Sequence, residues 1–375
     1  MGIRIGCFIF LIFIGFCTPA IAQDPDNKVL YVDKNYNITD RKRDAIYRVV
    51  VAEDGDTAHF MSYSIRPEAL VEKGKYRITP GADFRTAYLQ RYWPNGRWRS
   101  FGRTKDLLPD GTWVYFDESG LLYSKVNYTN GQLSGEAVRY YTTGKSRYYT
   151  YVNNKRNGPS RLMTNDGKMQ ELNNYENDSL HGACYAYFQT GSIKRKTVYN
   201  NGLKVTDTLY WENGKPFSCE KYNEFGNLHG RAMMFNVNGK MSRYDEYEDG
   251  VLTQNLCLHP LSDENFDGED CPVRLKEAQF PGGLGNFLDF VSINQDYPDA
   301  ALDWKQGGVV IVEFTVDTDG NIAEVTPENI IPLGYGLETE CLRLLGQIKK
   351  FEPRKLSGRP FPARIRLPFL FVVQQ

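Results

Sequence analysis

A glycine returns every 23 to 25 residues through the middle of this chain, at Gly96, Gly120, Gly144, Gly167, Gly191, Gly214 and Gly239. A period held that closely over such a span marks a repeated supersecondary unit. An aromatic pair precedes most of these glycines: Tyr92-Trp93, Tyr115-Phe116, Tyr140-Tyr141, Tyr187-Phe188 and Tyr210-Trp211. A further ring follows at Tyr128, Tyr175, Tyr199, Tyr222 and Tyr247, and a second glycine stands at Gly111, Gly135, Gly158, Gly182 and Gly230. Each unit therefore reads as strand, tight turn, strand and longer loop, with Asn or Asp beside Gly where positive φ is cheap. The flanking Tyr, Phe, Trp and Val suit a pleated surface. A lone hairpin is marginal in water, so the seven units over 92–252 are expected to stack edge to edge and bury ring against ring. The rings then serve as cross-strand contacts, a reading preferred to a dedicated aromatic ligand groove.

The pattern Tyr-aromatic-x-x-Gly-Lys, as in Tyr140 to Lys145, with Tyr-x-Asn-Gly-x-x-x-Gly, as in Tyr128 to Gly135, resembles the MORN-repeat-variant family. That family includes antitoxin components of the YwqK type. The resemblance implies a β-hairpin scaffold and says little about function, because such repeats serve unrelated settings.

With 375 residues the chain has room for more than one domain. Its 45 basic and 46 acidic residues leave a net charge of -1, which gives no strong field for nucleic acid or an anionic membrane. At the start, Arg4, an apolar run from Ile5 to Phe16 and the exit Thr18-Pro19-Ala20-Ile21-Ala22 form the pattern of a secretory signal peptide over 1–22, cleaved after Ala22. The rival is a retained inner-membrane anchor, since Ile5 to Ala22 reaches the lower limit for a span. Lipidation at Cys17 is disfavoured by Phe16, where a small residue would be needed. Export leaves Cys184, Cys219, Cys257, Cys271 and Cys341, an odd number. Cys257 and Cys271 bracket a turn-rich stretch and are the candidate disulfide, whereas Cys341 falls on an apolar helix face.

Residues 23–91 form an N-terminal β region with a possible degenerate capping repeat, and 253–279 read as a linker. Within the linker, Asp263 to Gly268 matches the opening of a calcium loop, but Arg274 stands where its closing Glu belongs, so a plain acidic turn is the better reading. Residues 280–375 follow an α+β pattern. A short helix around Phe287 to Phe290 ends before Tyr297-Pro298, and Gly308 to Val316 is a strand. Asp317 to Gly320 turns the chain into a second strand. Leu337, Cys341, Leu344, Leu345 and Ile348 then recur at helical spacing, and Ala363 to Val373 alternates as a closing strand. The fold class is thus mainly β: an elongated antiparallel β-hairpin repeat sheet followed by a small α+β domain.

Phe280-Pro281-Gly282-Gly283, Tyr297-Pro298, Ala300-Ala301, Gly308-Val309-Val310, Asp319-Gly320, Phe351-Glu352-Pro353, Gly358-Arg359-Pro360 and Leu367-Pro368-Phe369 resemble the TonB C-terminal domain. The resemblance implies the periplasm of a Gram-negative bacterium and docking of an envelope protein, such as an outer-membrane receptor segment, by strand addition. The strand-adding residues would be Arg364, Ile365, Arg366 and Phe369, ringed by Lys349, Lys350, Arg354, Lys355 and Arg359. A basic ring of this kind also protects an edge from aggregation. An energy-transducer role is the alternative, weakened by the removable N-terminus and the lack of a Pro-rich spacer. Toxin neutralisation by the repeat face is a third reading.

Catalysis is not expected. His181 and His229 both occur in Leu-His-Gly at equivalent points of the repeat, which turn geometry explains. No Ser/His/Asp grouping, Cys-x-x-Cys pair or phosphate-binding loop stands at motif spacing. No cofactor and no metal site is implied.

Overall fold

The structure, a computed structural model, describes residues 27–33, 39, 42, 45–54, 57–65, 68–77, 87–106, 108–258, 265–266, 278–356 and 359–373. The signal segment with Ala22, the acidic turn at Asp263 and Cys271 lie outside the described residues. The chain is mainly β, a long antiparallel sheet with a small α+β region toward its C-terminal end. Contacts divide it into two compact units, one of Met1–Leu133, Ala278–Pro353 and Pro362–Gln375, the other of Ser134–Glu277 and Arg354–Phe361. The described parts of the sequence-defined N-terminal region, first hairpins and C-terminal domain therefore share the first unit.

In the first unit, β1 (Asn27–Asp33), β2 (Ala45–Asp54), β3 (Thr57–Ile65), β4 (Glu68–Arg77), β5 (Ala87–Tyr92), β6 (Trp98–Lys105), β7 (Leu108–Phe116), β8 (Leu122–Thr129) and β9 (Gln132–Leu133) each pair antiparallel with the next. The tight turn after β5 shows how the periodic glycine works. Gly96 N–H donates to Trp93 O (2.9 Å), Trp93 N–H donates to Arg97 O (2.8 Å), and Gly96 takes φ 80°. The pairing slips between Arg91 and Tyr92, so the glycine sits at the left-handed corner of a bulged hairpin.

The second reversal departs from the sequence expectation. In place of a longer loop, Asn130 and Gly131 form a two-residue turn with φ 49° and 79°, the paired positive values that a type I′ hairpin demands. Asn153-Asn154, Asn177-Asp178, Asn201-Gly202 and Asp249-Gly250 repeat it. The glycines expected to close the loop instead fall inside β7 (Gly111) or open the next strand (Gly135, Gly158, Gly182, Gly230). All take positive φ between 72° and 103°, so they kink the strand rather than turn it.

Cross-strand register in this unit lays down rows of buried residues. One row runs Val51, Phe60, Gly74, Leu89, Gly102, Trp113 and Val126, each paired to the next. Large and small alternate because the rings lie over neighbouring backbone. A Cβ on Gly74 would meet Phe60 Cε1 at 2.3 Å, and one on Gly102 would meet Trp113 Cδ2 at 2.4 Å. The adjacent row, Val49, Ser62, Glu72, Arg91, Ser100, Tyr115 and Ser124, is largely polar. There Arg91 donates to the buried Glu72 carboxylate (2.8 Å) and lies over the Trp113 ring (5.0 Å).

The second unit continues with β10 (Gly135–Tyr140), β11 (Ser146–Val152), β12 (Lys155–Arg156), β13 (Gly158–Met163), β14 (Met169–Glu176), β15 (Ser179–Leu180), β16 (Gly182–Tyr187) and β17 (Ile193–Asn200). It proceeds through β18 (Leu203–Tyr210), β19 (Pro216–Lys221), β20 (Gly230–Phe235), β21 (Met241–Glu248), β22 (Val251–Leu258) and β23 (Asn265–Phe266). Rings meet here too, as in Tyr149–Tyr151 (6.1 Å) and Tyr185–Tyr187 (6.3 Å), and buried charged residues stand beside them. Asp207 accepts from Arg195 Nε (2.8 Å) and Nη2 and from Thr197 Oγ1 (2.9 Å), with Lys204 Nζ 3.4 Å away. Burial alone would raise the Asp207 carboxyl, but the Arg195 guanidinium overrides it and holds the group below the usual carboxylate range. Of Cys257 only the backbone in β22 is described, so the proposed bridge to Cys271 falls outside this description.

The α+β region of the first unit runs α1 (Gly283–Asn294), α2 (Asp299–Asp303), β24 (Gly308–Val316), β25 (Ile322–Pro327), α3 (Leu337–Gln347) and β28 (Ala363–Phe371). Between the last two, β26 (Arg354–Leu356) and β27 (Arg359–Phe361) form a hairpin that belongs to the second unit, where Phe361 meets Phe217 at 5.6 Å. The short helix α2 and this hairpin were not anticipated from sequence. The core gathers Phe287, Val310, Val312, Phe314, Leu337, Cys341, Leu344, Phe351, Phe369 and Phe371. It also takes in Trp93, from the tight turn after β5.

Two outcomes test this packing. Gly102→Val should lower the stability of the first unit by about 1–3 kcal/mol, the usual cost of forcing extra methyl groups into a packed core, measured as a shifted urea midpoint at unchanged slope. Asp207→Asn should destabilise the second unit by about 3–5 kcal/mol at pH 7, because Arg195 loses its buried partner. A depressed folded-state pKa stabilises above the unfolded value and ceases to do so as pH falls through the folded value. Denaturation curves of wild type and variant should therefore begin to converge below about pH 4 and meet only as pH falls through the lower folded-state value.

Candidate functional site

The three-stranded sheet of the α+β region has the order β25, β24, β28, so among the described residues β28 is an edge strand. Its register to β24 is unbroken from Val316↔Ala363 to Gly308↔Phe371. Alternation sorts its side chains into two sets. Ile365 and Leu367 pack against the core and Phe369 and Phe371 lie inside it, whereas Arg364, Arg366, Pro368, Leu370 and Val372 are exposed.

The backbone sorts as well. Ile311, which stands opposite Pro368, turns its N–H to Asn329 Oδ1 (2.8 Å) and its carbonyl to Glu328 N (2.7 Å). Its polar groups thus point away from β28. In an antiparallel pair both partners of such a position face outward, and this alternates along the ladder. The backbone groups of Arg364, Arg366, Pro368 and Leu370 therefore face the outer edge, and those of Ile365, Leu367 and Phe369 face β24. Pro368 fits this arrangement, because proline within a sheet sits where its missing N–H would have faced solvent. Among these outward groups, Leu370 O accepts from Gln295 Nε2 (3.2 Å), at the end of α1.

The opposite edge is of another kind. β25 has six residues, Glu324 takes φ 52°, and the pairing slips between Glu313 and Thr315. A bulged, short strand is a poor template for further pairing, whereas nine regular residues are a good one.

The sequence-derived site residues thus divide by role. Arg364 and Arg366 offer backbone groups and side chains outward, while Ile365 and Phe369 hold the strand to the core. Arg364 also forms an ion pair with Glu313 at 3.4 Å, on the neighbouring strand. Of the surrounding basic residues, Lys349 and Lys350 follow α3 in the same unit, but Arg354, Lys355 and Arg359 sit on the hairpin assigned to the second unit. An exposed apolar strip, Val309, Leu370 and Val372, was missed from sequence, because Val309 sits in a continuous apolar run and the alternation of the closing strand was followed only through Ile365, Leu367, Phe369 and Phe371.

Cys341, His181 and His229 serve packing and turns. Cys341 is fully buried, and burial pushes its thiol far up, with Glu338 and Glu340 adding to the effect. His181 and His229 each direct Nδ1 to the backbone N–H of the next two-residue turn, at Asn201 (3.4 Å) and Asp249 (3.5 Å). Among the described residues, no group of three or more His, Cys, Asp or Glu could hold a metal ion. Nor is any helix among them long and apolar enough to cross a membrane.

Residues 293–373 match the family described as "Gram-negative bacterial TonB protein C-terminal". No curated protein matches the chain. Among solved structures, a porin-like protein from Bacteroides uniformis is similar over 65% of this chain and 93% of its own, at 10% identity and a TM-score of 0.17, a likeness too slight to carry any argument.

Amide exchange followed by NMR on the deuterated full chain should alternate along β28. Ile365, Leu367 and Phe369 N–H groups should exchange slowly, and those of Arg364, Arg366 and Leu370 at least about tenfold faster, as expected for amides outside the ladder.

Proposed function

We propose that this chain is a non-catalytic protein of the Gram-negative cell envelope that binds an extended segment of another envelope protein by adding it as a strand to the outer edge of β28. The observation that carries the reading is the geometry of that edge: a regular nine-residue strand, paired on one side only among the described residues, whose outward backbone groups include the N–H of Arg366 and Leu370 and the carbonyls of Arg366 and Pro368. Main-chain pairing of this kind supplies affinity with little dependence on partner sequence. The family match over 293–373 supports the same reading, because the matched region contains the whole of this strand. The signal-like N-terminus is in keeping with export, and the hairpin sheet, with its MORN-like pattern, would serve as the scaffold.

Arg366→Pro isolates the main-chain contribution. It removes one outward donor and leaves the ladder to β24 intact, at a position two residues from a proline the strand already holds. The full chain, immobilised, would be offered a detergent-solubilised outer-membrane fraction from a Gram-negative bacterium. Wild type and Arg366→Ala should recover the same partner, and Arg366→Pro should recover it at least about tenfold less, the equivalent of a bond to a partner strand lost together with a steric block. Equal recovery by the proline and alanine variants would refute strand addition at this edge.

A further inference from the structure

Leu333, Gly334, Tyr335 and Gly336 present four successive backbone N–H groups at the start of α3, and two carboxylates take all four. Glu338 accepts from Leu333 N (2.7 Å) and Gly334 N (2.9 Å). Glu118, from the turn between β7 and β8, accepts from Tyr335 N (2.6 Å) and Gly336 N (3.2 Å). The segment achieves this by an unusual backbone: Gly334, Tyr335 and Gly336 all take left-handed φ, at 71°, 56° and 84°. For Tyr335 that conformation is strained and persists only because its surroundings fix it. Successive amides held in this way, ahead of a helix N-terminus, form a concave site for a carboxylate.

The rest of the contact is equally specific. Trp93 is fully buried in the α+β core, 5.4 Å from the Tyr335 ring, and its indole edge occupies the space where Gly334 would carry a Cβ. Arg99 lies over both rings, at 4.6 Å and 5.3 Å, and donates to Tyr335 Oη (2.9 Å). Tyr123 Oη and Ser124 Oγ donate to the carbonyls of Asn329 (2.8 Å) and Ile330 (2.6 Å). The Glu118 turn is itself braced, since its carbonyl accepts from Asn95 Nδ2 (2.9 Å).

These contacts join parts of the chain separated by more than two hundred residues, and the intervening stretch, Ser134–Glu277, belongs to the other compact unit. We infer that this dock is a mechanical short circuit: tension between the chain ends passes from β28 and β24 through Glu118 and Trp93 into β5–β8, and the inserted residues 134–277 stay unloaded while the dock holds. The inference does not depend on strand addition, because force applied to the C-terminal end enters β28 whatever its source.

The test is optical-tweezers extension of the full chain held by its two termini. In wild type, lengthening attributable to residues 134–277, about 500 Å at roughly 3.5 Å per residue, should appear only after a first high-force rupture. Glu118→Ala leaves two part-buried amides without their carboxylate, and Trp93→Leu weakens the ring contact. In each, that first rupture should fall to a lower force or disappear, and lengthening from 134–277 should come first, with unforced amide exchange in β24 and β28 unchanged. Lengthening from 134–277 before any rupture in wild type, or an order and force identical in all three proteins, would overturn the inference. So would loss of β24 and β28 protection in both variants, which would make these residues part of the module's fold rather than its attachment.

Discussion

Positive φ at the chain reversals is the constraint on which the hairpin sheet depends. A two-residue type I′ turn and a bulged turn ending on a left-handed glycine both twist in the sense the flanking strands require, and each admits one register. Register in turn decides which residues stand side by side across the strands. Once Gly96 fixes the bulge at Arg91/Tyr92, Leu89 stands opposite Gly102, and Gly102 then stands opposite Trp113. The indole can lie flat against the sheet only because that neighbour has no side chain. A one-residue slip would send every such ring to the other face.

The same frame carries two different interiors. In the first unit the buried row is aliphatic and aromatic, relieved by glycine, and a single ion pair, Arg91–Glu72, completes the row beside it. In the second unit burial falls also on Arg139, Arg147, Asp207, Arg243 and Asp245, beside Tyr149, Tyr151 and Leu162. Charges held at this depth contribute little net stability, because desolvation offsets most of their attraction, yet removing one partner is costly. The second unit is accordingly specified by its pairings, and the first by the shapes of its side chains.

How much of this was legible in the sequence can be argued residue by residue. The periodic glycines and the rings before them announced the hairpins, because tight reversal restricts the residue type locally. The Asn-Gly and Asn-Asp turns were read as long loops, since the kinking glycine four or five residues later, as at Gly135, Gly158 and Gly182, drew the reading away from the positive φ of Asn itself. In the α+β region, period and punctuation placed both longer helices and all three sheet strands. What the sequence hid is long-range: nothing around Glu118 or Trp93 distinguishes them from their counterparts in other hairpins, because their roles arise from a partner more than two hundred residues away. Gly334-Tyr335-Gly336 was the one local sign, a ring between two glycines just ahead of a helix.

At the β28 edge, the outward main chain of Arg366, Pro368 and Leu370 offers a partner strand two N–H groups and two carbonyls that lie outside the ladder to β24. At roughly 1 kcal/mol net per hydrogen bond, even full pairing gives a modest affinity once the cost of ordering a flexible segment is subtracted. Selectivity must therefore come from side chains. The exposed face beside the edge carries Leu370, Val372 and Val309 at one end and Arg364 and Arg366 at the other. An entering strand that alternates would set one row of its side chains on this face, apolar toward Leu370 and acidic toward the arginines. Arg364 is held by Glu313, so an incoming carboxylate there competes with an existing ion pair, and Arg366 is the more responsive of the two. The edge can thus accept many strands weakly, and its side chains favour those whose charge and apolar residues run in one direction.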